Sequence, residues 1–177
     1  MKILGIDSSL TSTGLALIED DELLEHRTIK TKAKEDWYVR IERIKRVTRE
    51  WTAKADYVGL ENYAFGSRFN REVMAEVGGN IKYDLCDDGF KPLMIAPSQV
   101  KKYITGNGRA SKDDVIQNVK EKHNIEFKTS DEADAFVIAL ITRECIKVLD
   151  NEDYLETMPE KQKEVIKKLL EEELDNE

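Results

Sequence analysis

The hydrophobic pattern of the first third of the chain predicts three strands followed by an amphipathic helix. Apolar residues dominate Lys2–Asp7 and Gly14–Glu19, and a third strand is expected within Leu23–Thr31. Short apolar runs bounded by polar turns are typical of buried strands. Between Asp36 and Lys54 the apolar residues recur at steps of three and four, which is the spacing of one helix face.

The rest of the chain alternates between short apolar runs and helical patterns. Tyr57–Glu61 and Leu93–Ile95 predict two more strands. Helices are expected over Phe69–Cys86, over Pro97–Tyr103, from a cap at Ser111 to about His123, and from a cap at Ser130, with a mobile loop over Ile104–Ala110. This alternation predicts an α/β domain over residues 1–150, with a mixed central sheet flanked by helices. Residues 151–177 are expected to form an acidic helical tail.

The formal net charge of -8 hides two basic stretches. Eleven acids and four lysines lie in Asp150–Glu177, so the rest of the chain is close to neutral. Arg27–Lys54 holds ten basic and four acidic residues, and its predicted helix carries Arg40, Arg43, Arg46 and Arg49 on one face. A second stretch contains four basic residues and no acid, namely Lys101, Lys102, Arg109 and Lys112. This distribution is compatible with binding a polyanion through one face. An ordinary solvated helix face is the alternative for the arginines.

Several classes of protein are excluded by composition. No run of eighteen apolar residues occurs, so we expect no transmembrane helix and no membrane partner. The first residues lack the apolar region of a signal peptide. Cys86 and Cys145 form no metal-binding motif and are expected to be small core residues in a reducing, cytoplasmic compartment. His26 and His123 also lack ligand spacing, so no zinc site is expected.

Four carboxylates occupy positions where α/β proteins often place a site. Asp7 ends the first strand and Glu61 ends a later one, and sites form beyond the carboxyl ends of strands. Asp131 and Asp134 are three residues apart in the first turn of a helix, which puts both on one side. Each acid also has a structural alternative when it is taken singly: Asp7 as a turn cap, Glu61 as an exposed strand end, and the aspartate pair as a helix cap.

Together the four acids predict a site for hard divalent cations. Ionised carboxylates at close range repel one another unless a cation lies between them. An oxygen-only ligand set without His or Cys favours Mg²⁺, with Mn²⁺ as a substitute. Four carboxylates balance two such ions. Two ions about 3.5–4 Å apart can activate a water and stabilise the leaving oxygen in phosphodiester hydrolysis.

Four short blocks of sequence occur in an order that matches one known family. They are Gly5-Ile6-Asp7-Ser8-Ser9 with Thr13-Gly14, then Glu61-Asn62, then Ala96-Pro97-Ser98-Gln99-Val100-Lys101 with Gly106-Asn107-Gly108-Arg109-Ala110-Ser111-Lys112, and finally Asp131-Glu132-Ala133-Asp134-Ala135. Each block is weak alone, but together they cover residues 3 to about 145. In this combination the chain resembles the RuvC-type Holliday-junction resolvases. Its small size and altered loops resemble a phage-encoded member, which would act in the bacterial host cytoplasm.

The resemblance implies an RNase H-like fold, a homodimer and paired nicks in four-way DNA junctions. By motif match, Asp7, Glu61, Asp131 and Asp134 would be the metal-binding acids. Lys112 would lie near the scissile phosphate and Lys101 would contact DNA, with a solvated helix surface as the alternative for both lysines. The family often places an aromatic wedge shortly after the second acid. The candidates here are Tyr63 and Phe65, for which a core or dimer contact is the alternative.

From these observations we expect a Mg²⁺-dependent, structure-selective DNA endonuclease, with branched DNA as its substrate. Asp7 would serve both metal ions, and Lys112 would stabilise charge on the phosphate. One alternative is a broader endonuclease for branched or flap DNA in phage genome processing. A second is half of a sugar-kinase or actin-like ATPase, because Gly5-Ile6-Asp7-Ser8-Ser9 also occurs in such phosphate loops. A third is a DNA-binding protein of the same fold without catalytic activity.

Overall fold

The structure, a computed structural model, describes residues 1–62 and 71–174. Its centre is a five-stranded sheet in the spatial order β3-β2-β1-β4-β5. The strands are β1 (Lys2–Asp7), β2 (Ser12–Glu19), β3 (Glu22–Lys30), β4 (Tyr57–Glu61) and β5 (Leu93–Ile95). The first three pair antiparallel, whereas β4 and β5 run parallel to β1. The predicted mixed sheet is therefore confirmed.

Helices cover both faces of this sheet. They are α1 (Trp37–Thr52), α2 (Arg71–Asp87), α3 (Pro97–Thr105), α4 (Lys112–His123), α5 (Ser130–Asp150) and α6 (Glu160–Leu174), with a 3₁₀ turn at Glu152–Thr157 before α6. Alternate residues of β1 enter two separate cores, as the period of a strand requires. Leu4 and Ile6 pack toward α1 and α2, while Ile3 packs toward α5.

Helix α6 contributes to the core on the α5 side. Val165, Ile166 and Leu169 are buried there, and α6 contacts both α3 and α5. The apolar face of an otherwise acidic helix is thus covered by the preceding part of the chain. The division of the chain at residue 150 stays a prediction.

Glycines in three neighbouring strands let α5 lie unusually close to the sheet. A Cβ at Gly5 would overlap the carbonyl oxygen of Ala135, and one at Gly14 would overlap that of Asp131. At Gly59 it would overlap the hydroxyl of Thr142. Glycine inside a strand often marks the close approach of another backbone. These contacts fix the height and direction of α5, and therefore the position of its first turn.

Two helix boundaries differ from the sequence-based expectation. Thr129, not Ser130, caps α5, because its hydroxyl accepts the hydrogen bond from the backbone N–H of Glu132. Helix α3 continues through Thr105, so the predicted loop over Ile104–Ala110 is shorter. It ends at Gly106, whose φ of 81° lies in the left-handed region that favours glycine.

The structure also bears on the cysteines and on membrane insertion. Cys145 is buried, as expected, but Cys86 is exposed near the end of α2, so its predicted core position is wrong. In residues 1–62 and 71–174, no helix combines the length and apolar character needed to cross a bilayer.

Candidate active site

The four predicted acids come together where β1, β4 and α5 meet. Gly5 and Gly59 both face α5, and side chains two residues apart on a strand share a face. Asp7 and Glu61 therefore point toward the same helix. Gly14, which pairs with Asp7 across the sheet, lies directly beneath Asp131 at the beginning of that helix.

Burial and mutual repulsion raise the pKa of three of these acids. Asp7 is only 7% exposed, and burial, followed by the charge of Glu61, raises the pKa of Asp7 well above its usual value. The Asp7 carboxyl donates a hydrogen bond to Glu61, whose pKa is also raised, chiefly by burial. Burial and the charge of Glu61 raise the pKa of Asp134 to about 6. Each of these three carboxyls is therefore harder to ionise than an exposed carboxyl.

Asp131 is engaged by two side chains from outside the acid cluster. The hydroxyl of Ser12 donates a hydrogen bond to its Oδ2. The Lys112 Nζ lies 3.6 Å from its Oδ1 and 3.2 Å from the Ser130 hydroxyl. Burial alone would lower the pKa of Lys112, but the charges of Asp131, Asp7 and Asp134 outweigh it and raise that pKa. Lys112 therefore stays charged while its side chain is 62% exposed at the mouth of the cluster.

The other basic residues of the Lys101–Lys112 stretch are placed differently. Lys101 is close enough for its charge to lower the pKa of Glu61 and of Asp134. Lys102 instead forms a 2.6 Å ion pair with Glu164 of α6. Arg109 is exposed in the loop before α4, and within the described ranges no carboxylate pairs with it. The structure thus brings Lys101 and Lys112 to the acids, and holds Lys102 against α6.

The arginine face predicted for α1 is only partly exposed. Arg40 is buried and donates hydrogen bonds to the Thr31 hydroxyl and the Leu10 carbonyl, so its predicted position on an outer face is wrong. Its role is to fasten α1 to the turn after β1. Tyr63 and Phe65, the candidates for an aromatic wedge, lie outside the described residues.

Sequence reasoning missed three features that shape this site. Ser12 of β2 donates a hydrogen bond to Asp131 at the beginning of α5. The two residues are 119 positions apart in the sequence, so no local pattern reveals this contact. Glu132 is buried and accepts a 2.8 Å hydrogen bond from Thr28 of β3, which ties the beginning of α5 to the sheet edge. The third feature is the set of strand glycines under α5, whose presence in apolar runs was a usable signal.

The donor set fits hard divalent cations. Four oxygen ligands converge without His or Cys, and ionisation of three of them is opposed by burial and by neighbouring negative charge. As the side chains stand, no three His, Cys, Asp or Glu residues in the described ranges are arranged to hold an ion. Asp7 and Glu61 bond to each other, and Asp131 bonds to Ser12. A bound cation would replace these contacts.

Known proteins resemble this chain over most of its length. The family model for crossover junction endodeoxyribonuclease RuvC matches residues 3–142. The RuvC of Aliarcobacter butzleri is 34% identical over 153 residues, covering 79% of this chain and 96% of that protein. The RuvC of Synechococcus sp. strain WH7803 is 29% identical over 150 residues, with the same two coverages.

Solved structures agree with this similarity. Thermus thermophilus RuvC superimposes with a TM-score of 0.64 at 27% identity, covering 79% of this chain and 92% of that chain. The same protein in complex with a Holliday junction substrate gives a TM-score of 0.66 at 28% identity, covering 79% and 91%. The predicted RNase H-like fold is thereby confirmed. Fold, motif order and sequence similarity agree, and the chain belongs to the RuvC family of crossover junction endodeoxyribonucleases.

Proposed function

We propose that this chain is a structure-selective DNA endonuclease that resolves four-way junctions by paired nicks. The observation that carries the proposal is the convergence of four carboxylates at the carboxyl end of the sheet, with Lys101 and Lys112 beside them. The T. thermophilus relative solved with a Holliday junction substrate supports the class of substrate.

The four acids are the proposed ligands of two Mg²⁺ ions, with Mn²⁺ as a substitute. The family is dependent on divalent metals, and Asp7, Glu61, Asp131 and Asp134 supply a fitting donor set, Asp7 serving both ions. When bound, the ions activate the attacking water and neutralise charge on the phosphate. The fold holds these carboxylates close together and away from water. Their mutual repulsion is therefore not screened by solvent and favours the binding of cations.

Lys112 is the proposed catalytic cation of the protein itself. Its exposed ammonium stands 3.6 Å from Asp131, within reach of a phosphate that approaches the acids. Its raised pKa keeps it charged at neutral pH, so it can stabilise charge that develops on the phosphate. Ser12 helps by holding the orientation of Asp131.

Outside the acid cluster, the residues proposed to contact DNA differ in whether their side chains already form an ion pair within the protein. Lys101 and Arg109 are available to bind phosphate, whereas Lys102 would have to leave Glu164 first. Tyr63 and Phe65 remain candidates for the wedge at the branch point. Such contacts to phosphates and to the shape of the junction would give structure selectivity with little base readout.

A homodimer is part of the proposal. Paired nicks at symmetric positions of a four-way junction require two active sites related by a two-fold axis, and each chain supplies one acid cluster. The convergence of four acids, with a raised pKa at Asp7, Glu61 and Asp134, also distinguishes the proposal from a DNA-binding protein without activity.

Cleavage by Asp7→Asn tests the proposed function. In Mg²⁺, the parent chain should make paired nicks in a static four-way junction. The variant should lose about 1,000-fold or more of the rate, a loss comparable to that of a principal transition-state contact. It should still bind the junction within about threefold. The measurement is a single-turnover assay with a parallel binding titration.

A matched control is Asp20→Asn, in the β2–β3 turn at the opposite end of the sheet. Asp20 has a φ of 52°, a conformation that asparagine tolerates well, so this variant should cleave normally. Full activity of Asp7→Asn would refute the assignment of the acids. Equal cleavage of forks, flaps and four-way junctions by the parent chain would favour the broader branched-DNA endonuclease.

A further inference from the structure

Two aromatic side chains at the beginning of α1 are unusually exposed. Trp37 is 56% and Tyr38 is 55% exposed, and their rings meet edge to face at a centroid distance of 6.3 Å. The other tryptophan, Trp51, is buried on the same helix. Large exposed aromatic groups often mark a surface that binds a partner. This pair takes no part in the acid cluster.

Lysines with free charge precede the aromatic pair. Lys30, Lys32 and Lys34 are all exposed, and no carboxylate in residues 1–62 or 71–174 forms an ion pair with them. The acid nearest in sequence, Glu35, is held by Arg43 at 2.8 Å. Glu35 also accepts a hydrogen bond from the backbone N–H of Lys32, whose charge helps to lower the pKa of Glu35. A polyanion that approaches this segment therefore meets exposed positive charge that is only partly compensated, at Lys32.

The arginines of α1 differ in this respect. Arg43 pairs with Glu35, Arg46 lies 3.0 Å from Glu50, and Arg49 lies 3.5 Å from Asp84. Their charges are largely compensated within the protein. Of the basic stretch Arg27–Lys54, the segment around Lys32 is therefore better suited to bind phosphate than the outer face of α1.

Strand pairing places this segment at the catalytic end of the sheet. Lys30 is the register partner of Ser12, and Ser12 donates a hydrogen bond to Asp131. Arg40, one turn after Trp37 on α1, donates a 3.2 Å hydrogen bond to the Leu10 carbonyl, three residues beyond Asp7. The aromatic pair thus lies on the β3 side of the acid cluster, close to the turn between β1 and β2.

We propose that Lys30, Lys32, Lys34, Trp37 and Tyr38 form a second DNA-binding surface, the aromatic–lysine surface. The lysines would hold the phosphates of a strand leaving the active site, and an aromatic ring would stack on a base that is unpaired at the branch point. Bases inside an intact duplex have their faces covered, so this stacking favours branched over linear DNA. The inference rests on the proposed function, because it presumes a DNA substrate.

Tryptophan emission tests the stacking directly. In the Asp7→Asn background with Mg²⁺, titration with a four-way junction should quench the emission of Trp37. Adding Trp37→Phe should abolish that change, because the remaining Trp51 is buried and distant from the surface. An unchanged emission on binding would overturn the stacking.

Affinity measurements test the surface as a whole. The double change Trp37→Ala with Tyr38→Ala should weaken binding of the four-way junction by about 10-fold and affect linear duplex far less. Replacing the three lysines by alanine should make the slope of log affinity against log salt concentration less negative by about 2–3. Tyr57→Ala is the matched control, since Tyr57 is 46% exposed at the opposite end of β4. It should change neither quantity.

Two results would overturn the proposal without touching the proposed function. One is junction affinity that is unchanged in the double variant while the parent chain still cleaves. The other is a dimer that becomes a monomer in sedimentation when Trp37 and Tyr38 are replaced, because the surface would then be covered by a second copy of the chain. Conversely, quenching of Trp37 without any cleavage by the parent chain would support the surface and refute the nuclease.

Discussion

Helix α5 carries two buried groups of charged residues, and they differ in how their charges are balanced. In its second half, Arg143 donates a 2.8 Å hydrogen bond to Glu144, and the Tyr154 hydroxyl donates one of 2.7 Å to the same carboxylate. Arg143 also binds Asp21 of the β2–β3 turn. In its first turn, by contrast, Asp131 and Asp134 face two further carboxylates, and the ion pair formed there joins Lys112 to Asp131.

This difference separates a structural role from a functional one. A buried ion pair with its hydrogen bonds satisfied can hold elements together, here α5, the β2–β3 turn and the 3₁₀ turn before α6. Buried acids whose pKa is raised, as at Asp7, Glu61 and Asp134, destabilise the fold and mark a candidate functional site.

Replacing Arg143 by methionine should cause the largest loss of stability. The change leaves Glu144 buried without its main partner, which costs about 3–5 kcal/mol. At about 2–4 °C per kcal/mol for a chain of this size, the melting temperature should fall by roughly 10 °C. Cleavage by the folded protein should not change. Thermal unfolding followed by circular dichroism measures the loss.

The matched control for this prediction is Arg46→Met on α1. Arg46 and Glu50 form an exposed ion pair, so the variant should lose less than about 1 kcal/mol. Equal losses in the two variants would show that the Arg143 group does not stabilise the fold through its buried charges.

In the metal-free protein, ionisation of Asp134 should lower stability as pH rises. Its pKa is about 6 in the folded protein against 3.8 for an unperturbed aspartate, so the folded state binds the proton more tightly. The contribution of this group to the free energy of unfolding is therefore fully present below pH 3.8. It is lost as pH rises through 6, which lowers the free energy of unfolding by about 3 kcal/mol. Melting curves in EDTA between pH 4 and 8 measure the slope.

Asp134→Asn supplies the comparison for that slope. The variant cannot ionise at this position and should lose less stability over the same pH range. Mg²⁺ should also reduce the decline in the parent chain, because it stabilises the ionised acids. If the melting temperatures of the parent and the variant depended on pH in the same way, ionisation of Asp134 would not destabilise the fold. That result would contradict repulsion among the four acids.

Alanine substitutions at two of the glycines under α5 compare a position next to the acids with one farther along the helix. A Cβ at Gly14 would overlap the backbone carbonyl of Asp131, one of the acids, whereas one at Gly59 would overlap the Thr142 hydroxyl and crowd Ile138, farther along α5 from the acids. Gly14→Ala should therefore reduce cleavage by about 100-fold through displacement of the acids. Gly59→Ala should retain cleavage. Single-turnover rates at a temperature where both variants are folded decide between these outcomes, and equal rates would contradict the account.

Local sequence patterns were sufficient for much of the fold and for the acids. The bounds of β1, β4 and β5 were predicted as observed, because each is an apolar run with clear polar ends. Asp7 and Glu61 could be predicted to share a site, since parallel strands place their carboxyl ends at one edge of the sheet.

The features that were missed depend on contacts between distant parts of the chain. A helical repeat shows which face Arg40 occupies but not that Thr31 and Leu10 supply partners for a buried guanidinium. Likewise, the sequence around Lys102 does not reveal that Glu164, 62 residues later, faces it from α6. Periodicity determines the face of a residue, whereas its neighbours depend on how the elements pack.

The most direct test of the central claim is the melting temperature of Asp7→Asn in EDTA at neutral pH. If the acids form a ligand site that lowers the stability of the fold, replacing Asp7 by asparagine should relieve the repulsion at this position. The asparagine amide can still donate a hydrogen bond to Glu61. The variant that has lost cleavage should then melt at a higher temperature than the parent chain. A lower melting temperature, like that expected for Arg143→Met, would show that Asp7 is a structural residue and would contradict the account.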